Sequence, residues 1–168
     1  TITAFPMISG AYGFHVPAHD LKEKFGPSST IGGLLNYKFK SNLILGVEYN
    51  FLFGETVKND SLFRNITTQS GYIIDGNGAQ ADIRTFERGF YSGITLGKII
   101  PLKATNPNSG IFINLGSGLF QHKILIENPD NVAPQISEDY KKGYDQLSNG
   151  LAFKEFIGYL HFGQKNTI

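Results

Sequence analysis

The chain has no cysteine, no tryptophan and a single methionine, and its formal charges nearly cancel at +1. Without cysteine there is no disulfide frame, no thiol nucleophile and no cysteine-based metal site. A net charge this small gives no field to attract nucleic acid or an anionic surface. No apolar run approaches the length of a spanning helix, about 18 residues. The opening TITAFPMISG has neither a basic n-region nor an apolar h-region, so no signal peptide is expected in it, and an exported protein would be in a processed or trimmed form. What the chain does have is 20 glycines, 14 phenylalanines and 8 tyrosines in 168 residues, a β-rich composition in a length that suits one domain. A mean hydropathy of −0.14 is compatible with membrane strands, because half of each barrel strand faces inward and is polar.

The stretch NLILGVEYNFLFG, 42–54, shows the pattern most clearly. Leu43, Leu45, Val47, Tyr49, Phe51 and Phe53 alternate with Gly46, Glu48 and Asn50, and successive side chains of a strand point to opposite faces. A soluble sheet covering a core and a membrane strand wrapping a polar lumen both produce this alternation. The same reading predicts strands over 5–16, 29–40, 42–53, 87–102, 110–126 and 150–163. Lys40 and Ser41 form the expected two-residue turn, and DGNG at 75–78 predicts a small hairpin between 72–74 and 81–83.

Connection lengths separate the two alternatives. They run long (17–28), short (40–41), very long (54–84), short (103–109), long (127–147) and short (164–166). In an up-and-down barrel all long connections then emerge at one end, the asymmetry of outer-membrane barrels. The expected fold is all-β, a single antiparallel up-and-down transmembrane β-barrel over 1–168, with a periplasmic N-terminus and extracellular long loops. Six strands and the start of a seventh fall short of eight, and an open edge in lipid leaves backbone groups unpaired. Strands seven and eight are therefore predicted to lie beyond Ile168.

The stretches HDLKEKFGPSSTIGGLLNYKFKSNLILGVEYNFLFG, FERGFYSGITLGKIIP, NPNSGIFINLGSGLFQHKI and YKKGYDQLSNGLAFKEFIGY together resemble the small outer-membrane β-barrel proteins of Bacteroidetes, the PorT-like or generic outer-membrane β-barrel group. The resemblance covers nearly the whole chain, and its motifs are strand and turn patterns without chemistry. It implies an integral outer-membrane protein, some members being accessory parts of type 9 secretion or barrel-assembly machines.

Candidate chemistry is sparse. Asn36, Lys38, Glu48, Asn50, Asn114, His122 and Glu155 form the expected polar network of the lumen. An eight-stranded barrel is only wide enough for side chains to fill, so these groups are expected to plug it. Glycines 93, 97, 116 and 118 then leave room for larger side chains. Lys154 and Glu155 point to opposite faces, so one of the two charges must sit at a membrane boundary or against a partner. His19 and Asp20 near Ser28 and Ser29 have the residue types of a hydrolytic triad, with nothing to fix the geometry. Asp75, Asn77 and Gly78 start like a calcium loop, but Ala79 and Phe86 break the pattern and a turn is expected. The GSG at 116–118 lies inside a strand with no following helix, so it cradles no phosphate. Asp60-Ser61-Leu62 fits a short O-glycosylation acceptor pattern resembling that of Bacteroidetes.

The expectation is a non-enzymatic outer-membrane barrel with a filled lumen, an accessory or scaffold subunit of a barrel-assembly or type 9 secretion machine. It has no cofactor and no metal, and its partners are outer-membrane lipid and protein, not nucleic acid. A small porin or transporter and a soluble lipocalin-like carrier are the alternatives.

Overall fold

The computed structural model describes residues 1–58 and 61–163. Six strands form one antiparallel sheet in chain order. They are β1 (Phe5–His15), β2 (Ser28–Lys38), β3 (Leu43–Gly54), β4 (Arg84–Pro101), β5 (Gly110–Glu127) and β6 (Ser148–Leu160). Every predicted strand is present, with ends shifted by no more than three residues. The predicted start of a seventh strand, 164–168, lies outside the described residues.

The β2–β3 turn is one residue longer than the sequence suggests. Phe39 accepts from the amide of Asn42 at 3.0 Å and donates to Leu43 O at 2.8 Å. Asn42 takes φ 60°, the left-handed conformation that asparagine tolerates best after glycine, so the loop is Lys40, Ser41 and Asn42.

The sheet is strongly curled. Flat, β1 and β6 would stand about 24 Å apart at about 4.8 Å per strand. Instead the rings of Phe5, at the start of β1, and Phe162, just past β6, meet edge to face at 5.1 Å. Lys154 on β6 likewise reaches Glu48 on β3 across two intervening strands. The edges do not pair, however: among the described residues β1 bonds only β2, and β6 only β5.

The two faces of the sheet have opposite characters. Along register rows such as Tyr37–Leu45–Leu96–Leu115, the convex side chains are exposed, Leu45 at 50 % and Leu115 at 54 %. The concave face buries Lys38, Ile44, Glu48, Thr95, Ile99 and Asn114.

The long connections differ from the polar excursions expected of them. The first contains a short helix, α1 (Asp20–Lys24), and the third contains 3-10 turns at Pro129–Asn131, Pro134–Ile136 and Glu138–Gly143. Phe25, Ile73, Ala81, Ala133 and Ile136 from these loops pack with Ile124 and Ile126, where β4 and β5 extend past the end of β3. Backbone bonds tie the loops together: Gly26 N donates to Thr56 O and Gly76 N to Val132 O, both at 2.9 Å. The result is a cap with its own apolar core. The DGNG hairpin lies within it, with Ala81 N donating to Ile73 O at 2.9 Å and Ile74 bridging Gln80.

Candidate functional site

The concave face carries the polar groups, distributed over three levels between the short-turn end and the cap. Midway, Glu48 projects inward from β3, 3 % exposed, and its Oε1 accepts from both Asn50 Nδ2 and Lys154 Nζ. Lys154 also lies over the ring of Tyr91 at 5.9 Å. Tyr91 folds along the sheet over Gly93 and Gly116; a Cβ on Gly116 would stand 3.2 Å from its hydroxyl. A phenol and an ammonium can share this space only because those positions are glycine. Among the described residues Glu48 Oε2, Tyr91 Oη, Thr95 Oγ1 and Asn114 Oδ1 are buried without a hydrogen-bond partner in the chain. Such groups are ordinarily satisfied by ordered water.

At the short-turn end Lys38 is fully buried and donates to Thr3 O and to Asn108 Oδ1, each at 2.9 Å. Asn108 also accepts from Thr3 N at 3.0 Å and donates to Thr1 O at 3.0 Å. Asn42 donates to Pro107 O at 2.9 Å, joining the two short turns. Residues 1–3 are thus laced across this end of the concave face. A cleft of about 450 Å³ opens beside it, where β6 runs out, lined by Lys103, Asn106, Tyr159, His161 and Phe162.

At the opposite end the His122 ring lies tilted against Phe120 at 5.4 Å and meets Phe25 edge to face at 5.5 Å, so it belongs to the floor of the cap. Buried Asn128 holds the third loop, donating to Ala133 O at 2.9 Å and accepting from Ala133 N at 3.2 Å.

The predicted network therefore divides. Glu48 and Asn50 are in contact; Lys38 serves the short-turn end and His122 the cap. Asn36 sits beside Gly46, where a side chain would overlap its amide, and Asn114 beside Gly97 and Phe112. Glu155 is not on this face: its register partner is Leu115, on the convex side, and Lys154 takes the inward place. Parity carries that assignment, because Lys154 shares its face with Gly150, Ala152 and Gly158, and Glu155 with Leu151, Phe153 and Ile157. Lys154, Tyr91 and Asn108 are the site residues that sequence reasoning missed.

The other candidates have structural roles. Asp75 Oδ1 accepts from Asn77 N and Ala79 N, both at 2.8 Å, which is turn chemistry. Ser29 Oγ is bonded to Tyr12 Oη at 2.9 Å, and Ser28 is buried against Gly54 and Glu87. The acceptor pattern at 60–62 begins on Asp60, outside the described residues.

Compared with protein-family models, with curated proteins and with solved structures, the chain gives no match in any of the three.

Proposed function

We propose that this chain is the greater part of an integral outer-membrane β-barrel that performs no catalysis, is plugged by its own side chains and works by contact through its cap. The observation that carries this reading is the inverted polarity of the sheet: a mostly apolar convex face over a concave face that buries Lys38, Glu48 and Asn114. From Leu43 to Phe53 that face runs about 33 Å along the strand, or about 25 Å in height at a tilt of about 40°, the span of a bilayer's apolar band. An apolar surface of this extent in water would drive association. A lipocalin-like carrier needs the reverse arrangement, with its apolar residues turned inward around the ligand.

The edges of β1 and β6, unpaired among the described residues, favour closure by further strands, for which eight is the expected count, since a lipid-exposed edge leaves backbone groups unpaired. The Glu48–Lys154 pair, Tyr91 and the Lys38–Asn108 contacts occupy the space a porin would keep open, which favours a scaffold or accessory subunit. The cap offers Tyr72, Tyr140 and Leu147 to a protein partner, all exposed. Type 9 secretion and barrel assembly are the machines that the sequence resemblance implies.

The test is fractionation and conductance of the full-length polypeptide. Extraction only by detergent, heat-modifiable migration on a gel and silence in planar bilayers are expected. Recovery in the aqueous fraction defeats the membrane reading, and stable ion channels defeat the plug.

A further inference from the structure

Glu155 interrupts the outer face. It stands midway along β6 between Phe153 and Ile157, which are 83 % and 75 % exposed, and opposite Leu115 of β5. Other charges on that face lie towards the strand ends. Lys98 donates to Ser41 O in the short turn at 2.7 Å, and Arg88, paired in register with Lys123, donates to Gly54 O at 3.3 Å where the cap begins. Among the described residues no cation forms a salt bridge with Glu155. Ionisable side chains at membrane depth are rare and almost always paired.

Among the described residues β6 is also a free edge, and the outer side chains of both edges stand uncovered, Ile8 of β1 at 85 %. An antiparallel strand added to β6 brings a residue directly opposite Glu155, with Cβ atoms about 4.5–5.5 Å apart. The strands in hand cannot supply the cation. β1 is antiparallel to β6, but its outer positions are Pro6, Ile8, Gly10, Tyr12 and Phe14, so neither direct closure nor the β1 edge of a second copy provides a positive charge. A two-fold β6–β6 pairing centred on Glu155 opposes two carboxylates. Meanwhile Phe162, just past β6, is held at the short-turn end by Ser109 Oγ at 2.8 Å and Asn106 Nδ2 at 2.9 Å, beside the open flank.

Resting on the membrane-barrel reading, we propose that the strand completing the sheet at β6 is the next one in the same polypeptide. It sets a lysine or arginine opposite Glu155 on the lipid side. The pair fixes the register of closure, since a slip of one residue would turn that cation into the lumen and leave Glu155 alone in lipid.

The test uses the full-length polypeptide refolded into short-chain phosphatidylcholine vesicles, with denaturant titration of wild type, Glu155→Leu, Glu155→Gln and Glu155→Lys. Glu155→Leu and Glu155→Gln should each lower the folded-to-unfolded ratio about tenfold, equivalent to about 1.4 kcal/mol. Glu155→Lys should lose more, and recover when the basic residue opposite is changed to Glu. A carboxylate facing lipid alone gives the opposite sign: Glu155→Leu would then be as stable as wild type or more so. That result, with wild type showing heat-modifiable migration, overturns the ion pair and leaves the barrel standing. A wild type that neither enters vesicles nor shifts on heating overturns both.

Discussion

In the strands, Leu45, Phe51 and Ile94 are exposed while Lys38, Glu48 and Asn114 are buried; in the loops at the long end, Phe25, Ile73 and Ile136 are buried while Glu23, Asp82 and Lys142 are exposed. The same chain thus sorts its residues in opposite senses over a short distance. In the cap the sorting is that of any water-soluble protein, driven by removal of apolar surface from water. In the wall that driving force would turn the sheet inside out. On the proposed membrane reading two solvents account for the difference, water around the cap and hydrocarbon around the strands. The boundary falls near Gly54 and Arg88, where β3 ends and β4 and β5 continue upward to place Ile124 and Ile126 in the cap core.

Substitutions can break either half of this contrast. The largest effect is expected from Phe25→Ala, which empties a site 2 % exposed at the centre of the cap and should cost about 4 kcal/mol. The loss should be confined to the cap, seen as rapid protease nicking within 55–83 while the strands keep their heat-modifiable migration. Equal protease resistance would mean that the loops have no shared core. Next is Val47→Lys on the wall, about 3 kcal/mol at mid-depth in a bilayer by denaturant titration. In a water-soluble sheet the same change at a half-exposed position would be near neutral, so the size of the loss identifies the solvent.

Lys154→Met tests the buried side. It leaves Glu48 without its cation, and about 2 kcal/mol is expected, below the usual range for a buried pair because the Lys154 side chain is 40 % exposed. Restoration by a second change, Glu48→Leu, would show that the penalty is the stranded charge; no restoration would place it in lost packing against Tyr91. The smallest effect, about 1 kcal/mol, belongs to Asp75→Ala, which removes two bonds from an exposed turn and should raise amide exchange at Asn77 and Ala79 alone.

Alternation made the wall legible in the sequence. Strand pattern is local, so Leu43 to Phe53 announce their faces without knowledge of neighbours, and the long-short rhythm of loops orders the strands. The cap was not legible, because Phe25, Ile73 and Ile136 are isolated apolar residues in polar surroundings, and their meeting depends on loops distant in sequence. On the concave face, parity turns Lys38, Glu48 and His122 the same way, but Glu155 was assigned to that face against its own parity, and the separation of the others comes from position along the strands. Lys154 and Asn108 were left out of the expected network for different reasons. Lys154 follows the parity of Gly150, Ala152 and Gly158, a usable signal, whereas Asn108 sits in a turn and meets Lys38 only through the curl of the sheet.

The central claim is that the convex face of β3 meets lipid. Because the chain contains no cysteine, each position from Leu43 to Phe53 can carry a single spin label on an introduced cysteine in the full-length protein in bilayers. Collision with oxygen and with a water-soluble nickel chelate is then measured at each. The account predicts a period of two, with positions 43, 45, 47, 49, 51 and 53 open to oxygen and shielded from nickel, and positions 48 and 50 shielded from both. Nickel accessibility at 45, 47 and 49 equal to that of an exposed cap residue such as Lys142 would contradict it.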